Sequence, residues 1–411
     1  MNIATENNTE TLETKEVTSA LSIKLSQESL SQALSLVSKA VAKSGIQPIL
    51  SNVLLKATSN CLTLAATDLD LSLAIDIPAE VSQEGEVTIP AQKLLELISK
   101  LPHQELTLKS SDKALINVSC GRSKFEIKGL SSEQFPQQFF NKANQSNDSI
   151  KLPLKAIRQA AQLVSFASDK REVNSILNGI CLELSEKGLE LAATDGSRLA
   201  YYSDSSVGKL EETKKVIIPF RTITELSRII GGLDDEYIDC NLASPSQISF
   251  QSAGRVLSSS LIDGNYPKYQ QLIPSSHSQK AVLNKSLFLS ALERVSVLAN
   301  ERTKVIKLLF EEIGVLTVSA NTPDLGEAQD QLDLVEFTGQ DFVIAFNVNY
   351  MIECLRNLDC ESIELKMTEP LKPIIVCPFR NESDVNNEAK ESQAEPFQYI
   401  YLLMPVQIRG N

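Results

Sequence analysis

Leu62-Thr63-Leu64-Ala65-Ala66-Thr67-Asp68 returns further along the chain as Leu189-Glu190-Leu191-Ala192-Ala193-Thr194-Asp195, and again as Leu316-Thr317-Val318-Ser319-Ala320-Asn321. The matched alanines, Ala66, Ala193 and Ala320, stand 127 residues apart each time. A period of that length means tandem copies of one domain, because solenoid units repeat every 20–50 residues or so. The 411 residues hold three such copies and leave an N-terminal remainder.

Each copy opens with a short alternating strand and then a helical period. Leu30, Ala33, Leu34, Val37 and Val41 share one helical face, with Ser26 as N-cap and Glu28 in the first turn. Leu154, Ile157, Ala161 and Val164 do the same in the second copy. Phe288, Ala291, Leu292 and Val295 do so in the third, with Asn284 as cap. Strands are expected over 52–57, 62–66 and 71–77. A second helix follows at the matching place: Ile89-Pro90-Ala91-Gln92-Lys93, Ile218-Pro219-Phe220-Arg221 and Phe346-Asn347-Val348-Asn349-Tyr350. Proline is tolerated in a first helical turn, where its missing N–H has no partner to lose. Strands over 105–109, 114–119 and 123–129 complete the first copy.

The fold class is therefore α+β. Each domain is built of two strand–helix–three-strand halves, with helices over 26–44, 91–101, 153–171, 219–231, 284–304 and 347–358. A helix with one apolar stripe buries it on a sheet and leaves the opposite stripe to face something else.

Apolar residues make up 42% of the chain, enough for substantial cores, and the net charge is −13 from 52 acidic and 39 basic residues. That balance argues against a protein that simply coats nucleic acid. The charge is unevenly placed: the six helical segments carry more Lys and Arg than Asp and Glu, and the acidic excess lies elsewhere. A positive helical surface on a negative body suits a polyanion; the plain alternative is that these cations decorate solvated helices.

Seven cysteines form no C-x-x-C pair, and with only His103 and His277 no zinc site of usual spacing can be built. The expectation is no metal, no cofactor and reduced thiols in a cytoplasmic protein. No apolar run approaches the roughly 18 residues of a membrane span. Residues 1–20 read as a disordered extension, and 380–396 as a polar loop ahead of a last apolar strand.

Catalytic arrangements are missing. Thr194-Asp195-Gly196-Ser197-Arg198 reads as a strand-ending turn, since Asp68 ends the same strand in the first copy, and no histidine lies near Ser197 as base. There is no GxxxxGK[ST] loop and no GxGxxG after a strand. Gly231-Gly232 reads as a helix stop. Two apolar stretches, Tyr401-Leu402-Leu403-Met404-Pro405-Val406 and Leu261 to Pro274, carry prolines that interrupt pairing. They are either ordinary core or a groove for a partner's peptide.

Several motifs together resemble one family. Gln47-Pro48-Ile49-Leu50, Ala65-Ala66-Thr67-Asp68-Leu69, Leu177-Asn178-Gly179 and Ala193-Thr194-Asp195-Gly196-Ser197-Arg198-Leu199-Ala200 are four of them. Asp263-Gly264-Asn265-Tyr266-Pro267, Phe346-Asn347-Val348-Asn349-Tyr350 and Met404-Pro405-Val406 are the rest. In this order, over about 21–409, the chain resembles the bacterial sliding clamp, the beta subunit of DNA polymerase III. The resemblance implies three clamp domains, at 21–142, 149–275 and 279–411. It also implies a head-to-tail homodimeric ring with helices inside and sheets outside, through which double-stranded DNA passes. A non-catalytic processivity role would follow, with the replicative polymerase, an ATP-driven clamp loader and other replication and repair proteins as partners, and no membrane. The alternative from another class is a repeat-built enzyme or regulatory scaffold that binds a small ligand between domains.

The resemblance also implies sites. A partner-peptide pocket falls on Leu177, Thr194, Gly196, Ser197, Arg198, Leu199, Pro267, Leu272, Asn347, Tyr350, Met404, Pro405 and Val406, with Leu371 and Leu402 nearby. Ser197 stands where the best-known member has His, and Gln271 where it has Arg. DNA-contacting positions fall on Ser44, Gln92, Arg171, Ser175 and Ile176, with Lys43 and Lys93 beside the first two. The subunit contact falls on Phe125 and Ile127, flanked by Arg122 and Lys124, and opposite them on Val297, Leu298, Glu327 and Asp330.

Overall fold

The structure, a computed structural model, describes residues 20–42, 47–111, 114–137, 149–172, 175–323, 325–379 and 397–407. Residues 1–19 of the expected extension, the polar loop at 380–396, and Lys43 and Ser44 lie outside them.

Six α-helices occur among the described residues. They are α1 (Gln27–Val37), α2 (Ala91–Ser99), α3 (Leu154–Val164), α4 (Phe220–Ile230), α5 (Lys285–Ser296) and α6 (Val348–Asn357). The expected apolar stripes of α1, α3 and α5 are buried. The helices end sooner than the apolar period implies. Tight turns at Ser38–Ala40 and Ser165–Ala167 follow α1 and α3 and keep burying side chains after the α-helix has stopped. Ser168 closes the second of these, its Oγ donating to the Ser165 carbonyl at 2.9 Å. Helix α5 stops at Ser296, and the Asn300 Oδ1 then accepts from the Arg302 and Thr303 amides in a local turn.

Caps divide by side chain. Asn284 caps α5 as expected, its Oδ1 accepting from the Leu287 N–H at 3.0 Å. Ser26 occupies the cap of α1, but its side chain makes no capping bond. Pro90 and Pro219 are caps that end a strand: Pro90 precedes α2 as the range 91–101 implies, and Pro219 stands one residue before the start of α4 rather than within it. Gly231 and Gly232 do stop α4.

Helices pair within each copy, and the first of each pair satisfies the orphan carbonyls of the second. Gln27 Nε2 donates to Ile98 O at 2.7 Å, Arg158 Nη2 to Ile230 O and Leu233 O, and Lys285 Nζ to Leu358 O at 2.7 Å. Arg158 and Lys285 are themselves 127 residues apart. Part of the helical positive charge therefore has an internal use.

By contacts the chain divides into two compact units, Met1–Gln145 with Gly254–Ser258, and Ser146–Ala253 with Ser259–Asn411. In the first, a five-stranded sheet runs in the order Glu80–Gln83, Ser22–Ser26, Glu105–Ser110, Leu115–Cys120, Ser123–Lys128. Leu71–Pro78, Cys61–Thr67, Asn52–Thr58 and Gly85–Pro90 pair antiparallel beside it in sequence, around Ile49, Leu54, Ala65, Ala74 and Phe135.

In the second unit a nine-stranded sheet joins the second and third copies. Arg198–Asp204 of one pairs antiparallel with Phe397–Leu403 of the other over seven residue pairs, from Arg198↔Leu403 to Asp204↔Phe397. That continuous ladder is why these two copies form one compact unit. A four-stranded sheet runs in the order Gly326–Asp333, Val315–Thr322, Val305–Glu311, Phe342–Asn347, with α5 packed on the first two.

Candidate peptide-binding site and sheet edges

The turn after the second Ala-Ala-Thr-Asp motif is built by its own side chains. Thr194 Oγ1 accepts from the Gly196 N–H at 3.1 Å and donates to the Arg198 carbonyl at 2.6 Å. Asp195 Oδ1 accepts from the Ser197 and Arg198 N–H groups at 2.9 and 3.1 Å. Gly196 sits at φ +85, where a side chain is disfavoured. The Thr194 N–H donates to the Tyr266 hydroxyl at 3.1 Å, which ties the Asp263–Pro267 stretch to the turn.

The first copy repeats this scheme. Thr67 Oγ1 accepts from the Leu69 N–H at 3.0 Å, and Asp68 Oδ1 from the Asp70 and Leu71 N–H groups at 3.2 and 2.9 Å. Leu69, matched to Gly196, holds φ +82. The turn reading of the motif is therefore correct in both copies.

Chain beyond the last strand lies along this turn. The Met404 N–H donates to Ser197 O at 2.9 Å and the Val406 N–H to Ala345 O at 2.8 Å, with Pro405, which has no N–H, between them. Met404 and Val406 stay exposed, as do Leu272 and Leu371, at 54% and 62%. Gly196, Pro267 and Gln271 are also exposed, and Leu177, Ser197, Asn347, Tyr350 and Pro405 half-buried. Leu199 and Leu402 are buried opposite one another and belong to the core with Cys181, Ile217, Tyr266 and Tyr269. So the candidate residues sort into an exposed apolar rim and a buried floor. The Asn347 Oδ1 accepts from the Asn349 N–H at 3.0 Å and so caps α6, which sets Tyr350 in its first turn.

Arg198 is the charge at this site. Its side chain is only 5% exposed. Nε meets Asp195 Oδ2 at 3.0 Å, Nη1 meets Glu353 Oε2 at 2.5 Å, and Nη2 donates to Phe166 O at 2.8 Å. The guanidinium carbon lies 4.4 Å from the centre of the Tyr350 ring and 5.6 Å from that of Phe166. Sequence reading placed Arg198 among the pocket residues but had no signal for its burial.

Elsewhere the chemistry is quiet. Among the described residues no group of three or more His, Cys, Asp or Glu could hold a metal ion. All seven cysteines are free. Burial pushes the Cys181 thiol up to about 11 and that of Cys240 up to about 12, so neither is a nucleophile at neutral pH. A cleft of about 990 Å³, lined by Lys215, Leu261, Asp263, Tyr266 and Lys268 among others, lies within the second copy. Its lining includes the first part of the Leu261 to Pro274 stretch, which the sequence marked as core or groove.

Among the strands that end their sheets, two bear on the candidate subunit contact. Ser123–Lys128 pairs only with Leu115–Cys120, leaving Phe125 39% exposed, Ile127 half-buried, and Arg122 and Lys124 exposed. Gly326–Asp333 pairs only with Val315–Thr322. Near it in sequence Leu325 is 52% exposed, and Val297, after α5, is 74% exposed with Leu298 half-buried beside it. Asp330 already pairs with Arg294 at 2.6 Å, and Glu327 Oε1 accepts from Asn321. Leu325 was absent from the sequence-derived set.

The candidate DNA positions are uneven. Gln92 is exposed on α2, and Lys93 beside it lies 3.9 Å from Glu96. Arg171 is exposed but gripped by Asp169, Nε to Oδ1 at 2.9 Å and Nη2 to Oδ2 at 2.8 Å. Ser175 Oγ accepts from the Leu177 N–H at 3.3 Å, and Ile176 packs against the core that holds Leu199.

Repeated α+β domains and an exposed apolar rim beside the Thr194–Arg198 turn suit a clamp-type binding protein. Models of the DNA polymerase III beta subunit match the chain in order: the N-terminal domain at 21–139, the central domain at 151–268 and the C-terminal domain at 270–389. The beta sliding clamp of Synechococcus elongatus is 31% identical over 389 residues, 93% of this chain and 98% of that protein. That of Pseudomonas putida is 29% identical over 385 residues, covering 93% and 99%. A sliding clamp from Pseudomonas aeruginosa solved bound to griselimycin superposes with a TM-score of 0.84 at 26% identity, covering 95% of this chain and 100% of that one. One from Bacillus subtilis gives 0.82 at 25% identity, with the same coverage. The chain belongs to the DNA polymerase III beta subunit family, the beta sliding clamps, which are non-catalytic processivity subunits. No helix among the described residues is long and apolar enough to cross a membrane.

Proposed function

We propose that two copies of this chain close head to tail into a ring around duplex DNA and tether the replicative polymerase through the Met404–Val406 groove. The three domains would be 21–142, 149–275 and 279–411. Loading would fall to an ATP-driven clamp loader, and other replication and repair proteins would share the groove in the cytoplasm.

One observation carries the dimer. Arg198–Asp204 is covered along its outer edge by Phe397–Leu403, with Leu199 opposite Leu402 and Ala200 opposite Tyr401. A shift of 127 residues carries Leu199 and Ala200 onto Gly326 and Glu327, on a strand unpaired at that edge. The counterpart of Phe397–Leu403 is Ser123–Lys128. Both sheets start from a strand whose first residue, Glu105 or Ser362, faces a helix cap, Ser26 or Asn284. Four residues on, Lys109 faces Asn117, which faces Glu126; Lys366 faces Ile375, which faces Leu402. Laying one ladder on the other sets Glu126 against Gly326 of a second copy, Phe125 against Glu327, Ile127 against Leu325 and Arg122 against Asp330. An apolar pair and an ion pair thus fall into register, and two open edges are removed at once.

The pocket rests on the exposed Leu272, Leu371, Met404 and Val406 around a buried floor, a surface suited to a short peptide with Leu or Phe side chains and a Gln. An acidic ring is compatible with DNA because enclosure, not phosphate contact, would hold it, and screened contacts permit sliding. The test is retention. The 45.1-kDa chain should elute as a dimer and, once loaded, stay on nicked circles while leaving linear DNA. Equal escape from both would end the reading.

A further inference from the structure

Arg198 stands out when the copies are compared. The residues 127 positions before and after it are Leu71, which is buried, and Leu325. Two copies thus place leucine here, and only the second, whose strand Arg198–Asp204 pairs with the third copy beside the groove, places a charge. Burying a guanidinium is costly unless it is fully paired, and a leucine of similar reach would pack without that cost. A charge kept where the fold accepts leucine calls for a reason beyond stability.

The contacts supply one. From the second copy, Arg198 is held by Asp195 Oδ2 and by the Phe166 carbonyl. From the third, it is met by Glu353 Oε2 and by the face of the Tyr350 ring, both on α6. The planar guanidinium uses its edge for three acceptors while its face lies 4.4 Å from the Tyr350 ring centre. The backbone of Tyr350 is held too, since the Tyr401 hydroxyl donates to its carbonyl at 2.9 Å. With the side chain 5% exposed, little of Arg198 is left for a ligand to touch.

We propose that Arg198 is a positioning residue: it holds the Tyr350 ring and Glu353 against the second copy, and so sets the place of α6 beside the groove without itself touching the bound peptide. This rests on the groove being the peptide site. Lysine cannot replace it, because an ammonium lacks both the fork and the flat face. Leucine would keep the fold, as it does at position 71, and release the ring.

The experiment labels the eight tyrosines with 3-fluorotyrosine and assigns Tyr350 by its loss in Tyr350→Phe. Arg198→Leu, Arg198→Lys and Glu353→Gln are compared in ¹⁹F spectra without peptide and by anisotropy with a fluorescein-labelled Gln-Leu-Ala-Leu-Phe pentapeptide. Arg198→Leu should fold, shift or broaden the Tyr350 resonance in the free protein, and weaken the peptide tenfold or more. Arg198→Lys should not rescue it, and Glu353→Gln should add little on top of Arg198→Leu. Should Arg198→Leu not fold, Glu353→Gln alone should still move the resonance and weaken binding. Peptide loss with an unmoved Tyr350 resonance would overturn the proposal in favour of direct contact, as would unchanged binding. A wild-type chain that fails to bind the peptide, with the resonance still moved by Arg198→Leu, would refute the peptide site and leave the positioning role standing.

Discussion

Arg198–Asp204 and Gly326–Asp333 occupy the same place in successive copies, yet one is sealed and the other open. The sealed strand is buried at five of its seven residues and hydrogen-bonded on both sides. The open one alternates exposed and half-buried residues, and its sequence, Gly-Glu-Ala-Gln-Asp-Gln-Leu-Asp, has the charged look of an edge held back from indiscriminate pairing. The difference teaches that copying a domain fixes its backbone, while the neighbour of each copy decides which side chains its edge can carry. An open edge at the third copy and another at the first are what a head-to-tail closure requires.

The strongest way to break the comparison is at the partner edge. Phe125→Ala should weaken the dimer by about 3 kcal/mol or somewhat less, if the ring is fully desolvated in a central contact. Sedimentation at falling concentration measures it, and an unchanged dimer would separate the two edges. The sealed region is sharpened at its turn. Gly196→Leu copies the residue that the first copy already tolerates at φ +82, and a Cβ there meets nothing within 4 Å. It should cost about 1 kcal/mol of stability and weaken the pentapeptide by tenfold or more, about 1.4 kcal/mol, because the new side chain enters the groove. A wild-type affinity would place the peptide elsewhere.

Smaller effects test the supports. Asn284→Ala should cost about 1 kcal/mol in thermal unfolding, and Ser26→Ala only a few tenths, since only the first makes a capping bond. Last comes acid. Hydrogen bonds from Arg171 hold the Asp169 carboxyl down to about 2. Its contribution is therefore complete above the ordinary carboxylate range and fades as pH falls toward 2. Arg171 is exposed and the pair screened, so the effect is small: Asp169→Asn should lower the melting temperature slightly at neutrality and flatten its fall between about pH 5 and about pH 2.

Much of this was legible in the chain. The 127-residue period, the stripes of α1, α3 and α5, the Asn284 cap, the Gly231 stop and the Asp195 turn all follow from local chemistry, and the structure carries each of them. What local pattern could not encode was decided by distant partners. Arg198 reads as an ordinary turn residue until Glu353 and Tyr350 arrive from 155 positions or so away. Arg158 and Lys285 count as surface cations until the carbonyls at the ends of α4 and α6 are placed beside them. Leu325 looks like a stray exposed leucine until the sealed ladder is shifted by one period onto the open strand.

Ring closure is tested most directly by locking it. Lys124→Cys and Ala328→Cys should face each other across the two copies in the proposed register, so the oxidised double variant should form a disulfide-linked dimer. Loaded on closed circular DNA before oxidation, that dimer should remain attached in denaturant and fall away once the DNA is linearised. A covalent dimer that leaves intact circles in denaturant, or no cross-link in a chain that is dimeric, would contradict the account.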